Sequence, residues 1–196
     1  MVTNLTSVDW STLPSPEDDG AAQHLEGMEL PDVTLASTDG VKVCLSDLPG
    51  LTVIFAYPMT GRPDRDLPDN WDMIPGARGC TPQACAFRDL SSELKGLGVE
   101  YLYGLSTQGT DYQKEAADRL HLPFPLLSDE EINLAQALSL PTLTVEGKTL
   151  LKRLTLIADK GIIRKVFYPV FPPDKNADDV IEWLKQAKTT PSPIEL

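Results

Sequence analysis

The sequence predicts an α/β fold, a central mixed sheet flanked by helices and preceded by a small hairpin. Three observations carry that expectation. Leu51 to Tyr57 is a continuous apolar run of strand length, as a strand buried on both faces requires. Phe87, Leu90, Leu94 and Leu97 recur at steps of three and four, the spacing of an amphipathic helix, and Val99 to Leu105 then resumes strand composition. Leu150 to Ala158 and Ile162 to Tyr168 flank Asp159-Lys160-Gly161, a turn signal that pairs them as a hairpin.

Each remaining element follows in order. Residues 1–25 are rich in Ser, Pro, Asp and Glu without hydrophobic periodicity, so they read as an extended arm or a poorly ordered extension. Val33 to Thr38 and Lys42 to Leu45, joined through Asp39-Gly40, form the first hairpin. The stretch from Pro58 to Gly79 is polar and Pro-rich, hence a loop, and the helix after it ends near Gly98. Tyr112 to Leu120 reads as a helix. Ser128-Asp129-Glu130-Glu131 has the form of a capping box that opens another, running through Leu138. Ala177, Val180, Ile181 and Leu184 make the stripe of a closing helix, and residues 190–196 are a tail. The order β-α-β-α-α-β-β-α after a hairpin is that of a thioredoxin-like fold, as one domain over residues 26–189.

Composition narrows the function. With 29 acidic against 17 basic side chains, the net charge of −12 argues against nucleic acid or an anionic membrane surface as partner. The first twenty residues have neither the basic nor the apolar region of a secretory signal, and Leu51 to Tyr57 is too short to span a bilayer. A cytoplasmic protein is therefore expected, its three cysteines held as thiols between reactions. These cysteines, with His24 and His121, show no metal-ligand spacing, and an iron–sulfur cluster would want a fourth thiolate. Cys44 reads as a structural strand residue.

The informative segment is Gly79-Cys80-Thr81-Pro82-Gln83-Ala84-Cys85, at the start of the helix. With Thr81 as cap and Pro82 at the first helical position, Cys80 stands at the positive end of the helix dipole, near unpaired N–H groups. Such a site favours a thiolate, and Arg78 next to it would add positive charge. Cys85 lies five residues on. A rise of about 1.5 Å per residue separates the two Cα atoms by about 7 to 9 Å, with the side chains pointing apart. A bond between them requires the first turn or two to unwind. Taken alone, Cys85 also reads as a small buried hydrophobe.

The segment Gly79 to Asp89, GCTPQACAFRD, resembles the active-site helix of Q-type peroxiredoxins, also called bacterioferritin comigratory proteins. GLS at Gly104 to Ser106, PLLSD at Pro125 to Asp129, KRLTLIADKGII at Lys152 to Ile163 and the final helix with Trp183-Leu184-Lys185 continue the likeness, over roughly residues 28–188. The resemblance implies a thioredoxin-fold peroxidase that uses no metal or organic cofactor. It makes Cys80 the peroxidatic cysteine, oxidised by peroxide to a sulfenic acid, and Cys85 the resolving cysteine that forms a disulfide with it. A thioredoxin-like or glutaredoxin-like protein would then reduce that disulfide, and the chain would be a monomer or weak homodimer. Arg153 matches the arginine that faces the site from a later strand. A fixed fork of charged donors there suits the developing charge on the leaving oxygen.

One departure is visible. The family places Pro seven and Thr three residues before its peroxidatic cysteine, where this chain has Met73 and Ala77. Pro58 and Thr60 lie about twenty residues before Cys80, as though residues 61–78 were inserted. The expectation is that Thr60 still supplies the hydroxyl and Pro58 shields the sulfur, with the insert at the site's mouth or on a partner surface, or simply a packed loop. Other readings are a thiol–disulfide oxidoreductase, whose usual C-x-x-C motif is missing, a redox sensor, and a non-catalytic binding module of the same fold.

Overall fold

The apolar run after Gly50 becomes the strand around which the rest is arranged, β3 (Leu51–Ala56). Its alternation assigns its two faces. Val53, Phe55 and Tyr57 enter one apolar cluster, while Ile54 and Ala56 enter the other. The computed structural model describes residues 8–189.

Around β3 the chain lays β1 (Thr34–Ser37), β2 (Lys42–Cys44), β4 (Tyr101–Ser106), β5 (Leu126–Ser128), β8 (Leu154–Asp159) and β9 (Ile162–Phe167). Their spatial order is β2-β1-β5-β4-β3-β8-β9. β3 pairs in parallel with β4 and β4 with β5, whereas β8 runs antiparallel to β3 and β9 to β8, so the sheet is mixed. One face carries α1 (Cys80–Asp89), α2 (Ser91–Gly96) and α5 (Asn176–Thr189), and α3 (Thr110–Arg119) reaches the same cluster through Leu120. The opposite face is covered by α4 (Asn133–Ala137) and by Ala22, Leu25 and Leu30 of the N-terminal segment.

Several local expectations are revised. The helix predicted from the cysteine segment to about Gly98 is two helices, because Leu90 leaves helical geometry at φ −100°, ψ 6°. The run Leu150 to Ala158 is also divided. Leu150 and Leu151 belong to β7 (Lys148–Leu151), which pairs with β6 (Thr142–Val145) in a separate two-stranded sheet, and β8 begins only at Leu154. Arg153 lies in the break rather than within a strand. The capping box is replaced by one residue: Ser128 ends β5, and the buried carboxylate of Asp129 accepts the N–H groups of Leu134 at 3.0 Å and Ala135 at 2.8 Å.

The arm expected over residues 1–25 is described from residue 8 onward, its first seven residues lying outside the described part. Trp10–Thr12 form a 3-10 turn, capped by Asp9 through its side chain. Leu25 is fully buried, and the N–H groups of Gly27 and Leu30 donate to carbonyls of Ile163 and Gly161 beside β9. The segment at residues 61–78 also packs: Trp71 and Ala77 form a third apolar cluster with Val145 and Leu150 of the small sheet. The tail at residues 190–196 lies outside the described residues.

Asp129→Ala leaves two buried N–H groups without acceptors. It is expected to lower stability by about 2 to 4 kcal/mol, read as a shifted midpoint in urea at unchanged slope.

Candidate active site

Gly79 sets the site. It adopts φ 111°, a left-handed conformation, immediately before α1. A Cβ there would stand 2.5 Å from Pro173 Cγ and 2.9 Å from Trp10 Cη2, so both backbone shape and crowding require glycine. The helix cap is thus Gly79 rather than Thr81; Cys80 is the first helical residue and Pro82 the third. Cys80 is 4 % exposed and shares a cluster with Tyr57, Ala84 and Phe87. Phe87 stacks on Phe55 at 4.4 Å between ring centres, which ties the helix to β3.

The register between β3 and β8 then delivers the charge. Ala56 pairs with Leu154, so Arg153 falls beside the end of β3, below the start of α1. Its Nη2 donates to Cys80 Sγ at 3.2 Å and shares the carbonyls of Ala77 at 3.1 Å and of Gly76 and Arg78 at 3.3 Å. Nη1 donates to Gln83 Oε1. Gln83 in turn donates to Asn176 Oδ1 at 2.9 Å, which also accepts Thr155 Oγ1 at 2.6 Å. Arg153 is 3 % exposed, and no carboxylate among the described residues pairs with it.

Sequence reading missed Gln83, Asn176 and Thr155. A signal existed for Gln83, since a residue three positions after Cys80 lies on the same side of the helix. None existed for Thr155 or Asn176, which enter only through the tertiary arrangement.

Cys85 is half-buried farther along α1. Burial, assisted by Asp89, pushes its thiol above the usual range, and Arg88 and Arg119 only partly oppose this. Burial and the nearby Cys80 also push the Tyr57 phenol up, so its hydroxyl stays protonated. Among the described residues no group of three or more His, Cys, Asp or Glu is placed to hold a metal ion.

Comparison with known proteins was made against this geometry. Residues 25–181 match the Redoxin family. Peroxiredoxin Q of Gentiana triflora, a chloroplastic protein, is 32 % identical over 184 residues, spanning 90 % of this chain and 76 % of its own. That of Sedum lineare, also chloroplastic, is 32 % identical over 85 % of this chain and 81 % of its own. The chain belongs to the redoxin family, among the Q-type peroxiredoxins. It is a thiol-dependent peroxidase. The crystal structure of peroxidoxin BcpB from Mycobacterium tuberculosis superposes with a TM-score of 0.67 at 27 % identity, covering 82 % of this chain and 96 % of that one. Peroxiredoxin Q of Xanthomonas campestris shares the fold at a TM-score of 0.64 and 23 % identity, over 81 % and 96 % of the two chains. The mixed sheet and its helices are thus the thioredoxin fold of the peroxiredoxins.

Other residues of this peroxiredoxin singled out by sequence fall in several places. Pro58 is buried and lines a cavity with Ala77 and Arg153. Thr60 is buried too, but all its polar groups turn to Gln108. Its hydroxyl and N–H donate to Oε1 at 3.2 and 2.9 Å, and its carbonyl accepts Nε2 at 3.1 Å. The structure therefore joins Cys80 with Arg153 and does not join Thr60 to either. Arg78 pairs with Asp72 and offers the site its carbonyl rather than its charge. Cys44 ends β2 beside Ser46 at 3.1 Å, and His24 contacts the carbonyl of Leu138 at 2.8 Å. His121 is exposed.

Gly79→Ala is expected to cost about 2 to 4 kcal/mol, because it meets both a left-handed backbone and two ring contacts. Chemical unfolding of the reduced protein measures it.

Proposed function

We propose that Cys80 is the peroxidatic cysteine, attacking peroxide as a thiolate, and that Cys85 resolves the product. The observation that carries this reading is the buried Arg153 guanidinium, 3.2 Å from the Cys80 sulfur and without a carboxylate of its own. A buried cation needs an anion, and the sulfur within its reach is the group able to supply one. The thiolate forms a bond to one peroxide oxygen as the O–O bond breaks. The other oxygen leaves as water or an alcohol after taking a proton, giving a Cys80 sulfenic acid. Arg153 donates to the oxygen on which charge develops, and Pro58 helps exclude water from the sulfur.

Condensation follows. Cys85 attacks the sulfenic sulfur and water departs, leaving a disulfide that a thioredoxin-like or glutaredoxin-like dithiol reduces. Within α1 the Cys85 thiol is held protonated by burial, so it becomes a competent nucleophile only as the helix start unwinds. We read the chain as a monomer or weak homodimer, since among the described residues the exposed large apolar side chains are few, Val41 apart from Leu67 and Met73 of the 61–78 segment. A reducing compartment such as the cytoplasm suits three thiols held free between turnovers.

One equivalent of hydrogen peroxide, followed by peptide mass mapping, is expected to give a Cys80–Cys85 disulfide. A thioredoxin system should then sustain NADPH consumption, and amides of the first two turns of α1 should lose exchange protection on oxidation. Unselective oxidation without turnover would sink the assignment. Arg153→Lys keeps the charge and loses the fork, and is expected to lower kcat/KM for hydrogen peroxide about 10² to 10³-fold in steady-state assays.

A further inference from the structure

Above Arg153 lies a cavity of about 230 Å³. Its lining is apolar at Pro58, Ile74, Pro75 and Leu143 and charged at Glu17, Lys152 and Arg153. Arg153, one of these lining residues, donates to the Cys80 sulfur at 3.2 Å. This division suits a molecule with a polar peroxide end and an apolar body, whereas hydrogen peroxide has no use for the walls.

One wall comes from the N-terminal arm. Pro16 and Glu17 border the cavity, and the Pro16 ring sits 3.4 Å from where a Cβ of Gly76 would be. The arm is fastened on either side of this crossing. Before it, Trp10 packs edge-on to Phe171 at 6.0 Å and rests against Gly79. After it, Asp19 receives Lys152 Nζ at 2.6 Å and Tyr168 Oη at 2.7 Å, bridging the arm to the residue next to Arg153. Both partners hold the Asp19 carboxyl well below the usual carboxylate range, so the latch stays charged throughout the neutral region. Beyond it, Ala22 and Leu25 are buried in the core.

We propose that this arm is a selectivity wall: latched by Asp19, it limits the organic group of a hydroperoxide substrate to one that fits the cavity above Arg153. The proposal rests on the peroxidase reading and adds to it which hydroperoxides are admitted. A cavity of about 150 Å³ holds a benzene ring, so this one, at about 230 Å³, takes a cumyl group and is too small to enclose an eighteen-carbon chain.

Steady-state kcat/KM is measured for hydrogen peroxide, cumene hydroperoxide and methyl linoleate hydroperoxide, the ester being chosen so that no carboxylate meets Glu17 or Lys152. The full chain is compared with Asp19→Ala, which opens the latch at the surface, and Pro16→Trp, which fills the cavity. Asp19→Ala is expected to raise the lipid-to-hydrogen-peroxide ratio about fivefold, and Pro16→Trp to lower the cumene-to-hydrogen-peroxide ratio about tenfold. Unchanged ratios in Asp19→Ala, with hydrogen peroxide turnover intact, overturn the wall and leave the peroxidase standing, even if Pro16→Trp fails to fold. Absence of hydrogen peroxide turnover in the unaltered chain overturns both.

Discussion

A guanidinium buried without a carboxylate is the constraint on which the site depends. Removing a cation from water costs several kcal/mol unless its hydrogens and its charge are both answered. Here the hydrogens of both Nη atoms are answered by neutral groups, the carbonyls of Gly76, Ala77 and Arg78 and the amide of Gln83, while the buried Nε–H has no partner among the described residues. None of these carries charge. The remaining partner is the Cys80 sulfur, and an N–H donated to sulfur strengthens once that sulfur is an anion. Several distant features follow from this need. The antiparallel register of β3 and β8 places the arginine, the left-handed Gly79 turns the helix start toward it, and Asn176 at the head of α5 fixes the Gln83 amide.

The same packing opposes the step that the proposed reaction needs next. Two cysteines five residues apart on one helix cannot bond while the helix persists. Trp10 and Pro173 crowd Gly79 from outside, and the Phe55–Phe87 stack holds α1 to the sheet. These restraints are not equivalent. Phe87 lies beyond Cys85 and can keep its place while the residues before it unwind, whereas the contacts at Gly79 must yield. Opening is thereby confined to the segment from Gly79 to Cys85, a local unit rather than the whole domain. The N-terminal arm supplies one of the contacts that must yield, so it bears on resolution as well as on the cavity.

How much of this was legible follows from where each signal resides. β3 was readable because burial on both faces leaves an unbroken apolar run, and α5 because one stripe of Ala177, Val180, Ile181 and Leu184 repeats at helical spacing. Cys80 stood out as a cysteine at a helix start, and Arg153 through the family resemblance. The division of Leu150 to Ala158 between two sheets was not, because apolar residues continue on both sides of the break and pairing partners are not encoded locally. The box pattern pointed to Ser128 as the cap, whereas Asp129 does the capping and its helix begins four residues later, too far for a box pattern to reveal. The arm was misjudged in character, since its anchoring rests on a few residues, Trp10, Asp19 and Leu25, spaced without period.

Position 77 ties these strands together. Where the family resemblance leads one to expect a threonine, this chain carries an alanine whose carbonyl accepts both the Cys80 thiol at 3.6 Å and Arg153. A carbonyl accepts but does not donate, so it cannot hold the peroxide oxygen that a hydroxyl could bridge. Thr60, the nearest substitute in sequence, has committed its hydroxyl to Gln108. In the proposed reaction, donation to the peroxide therefore falls to Arg153 and to the N–H groups at the start of α1, both fixed before substrate arrives. With one orienting donor gone, position must be imposed from the other side of the substrate. The inserted segment provides that side: Ile74 and Pro75 form one flank of the cavity, and Gly76 lets Pro16 of the arm close against them. On the proposed reading, the 61–78 segment and the arm act together, shaping a wall around the rest of the substrate where a hydroxyl would otherwise hold it.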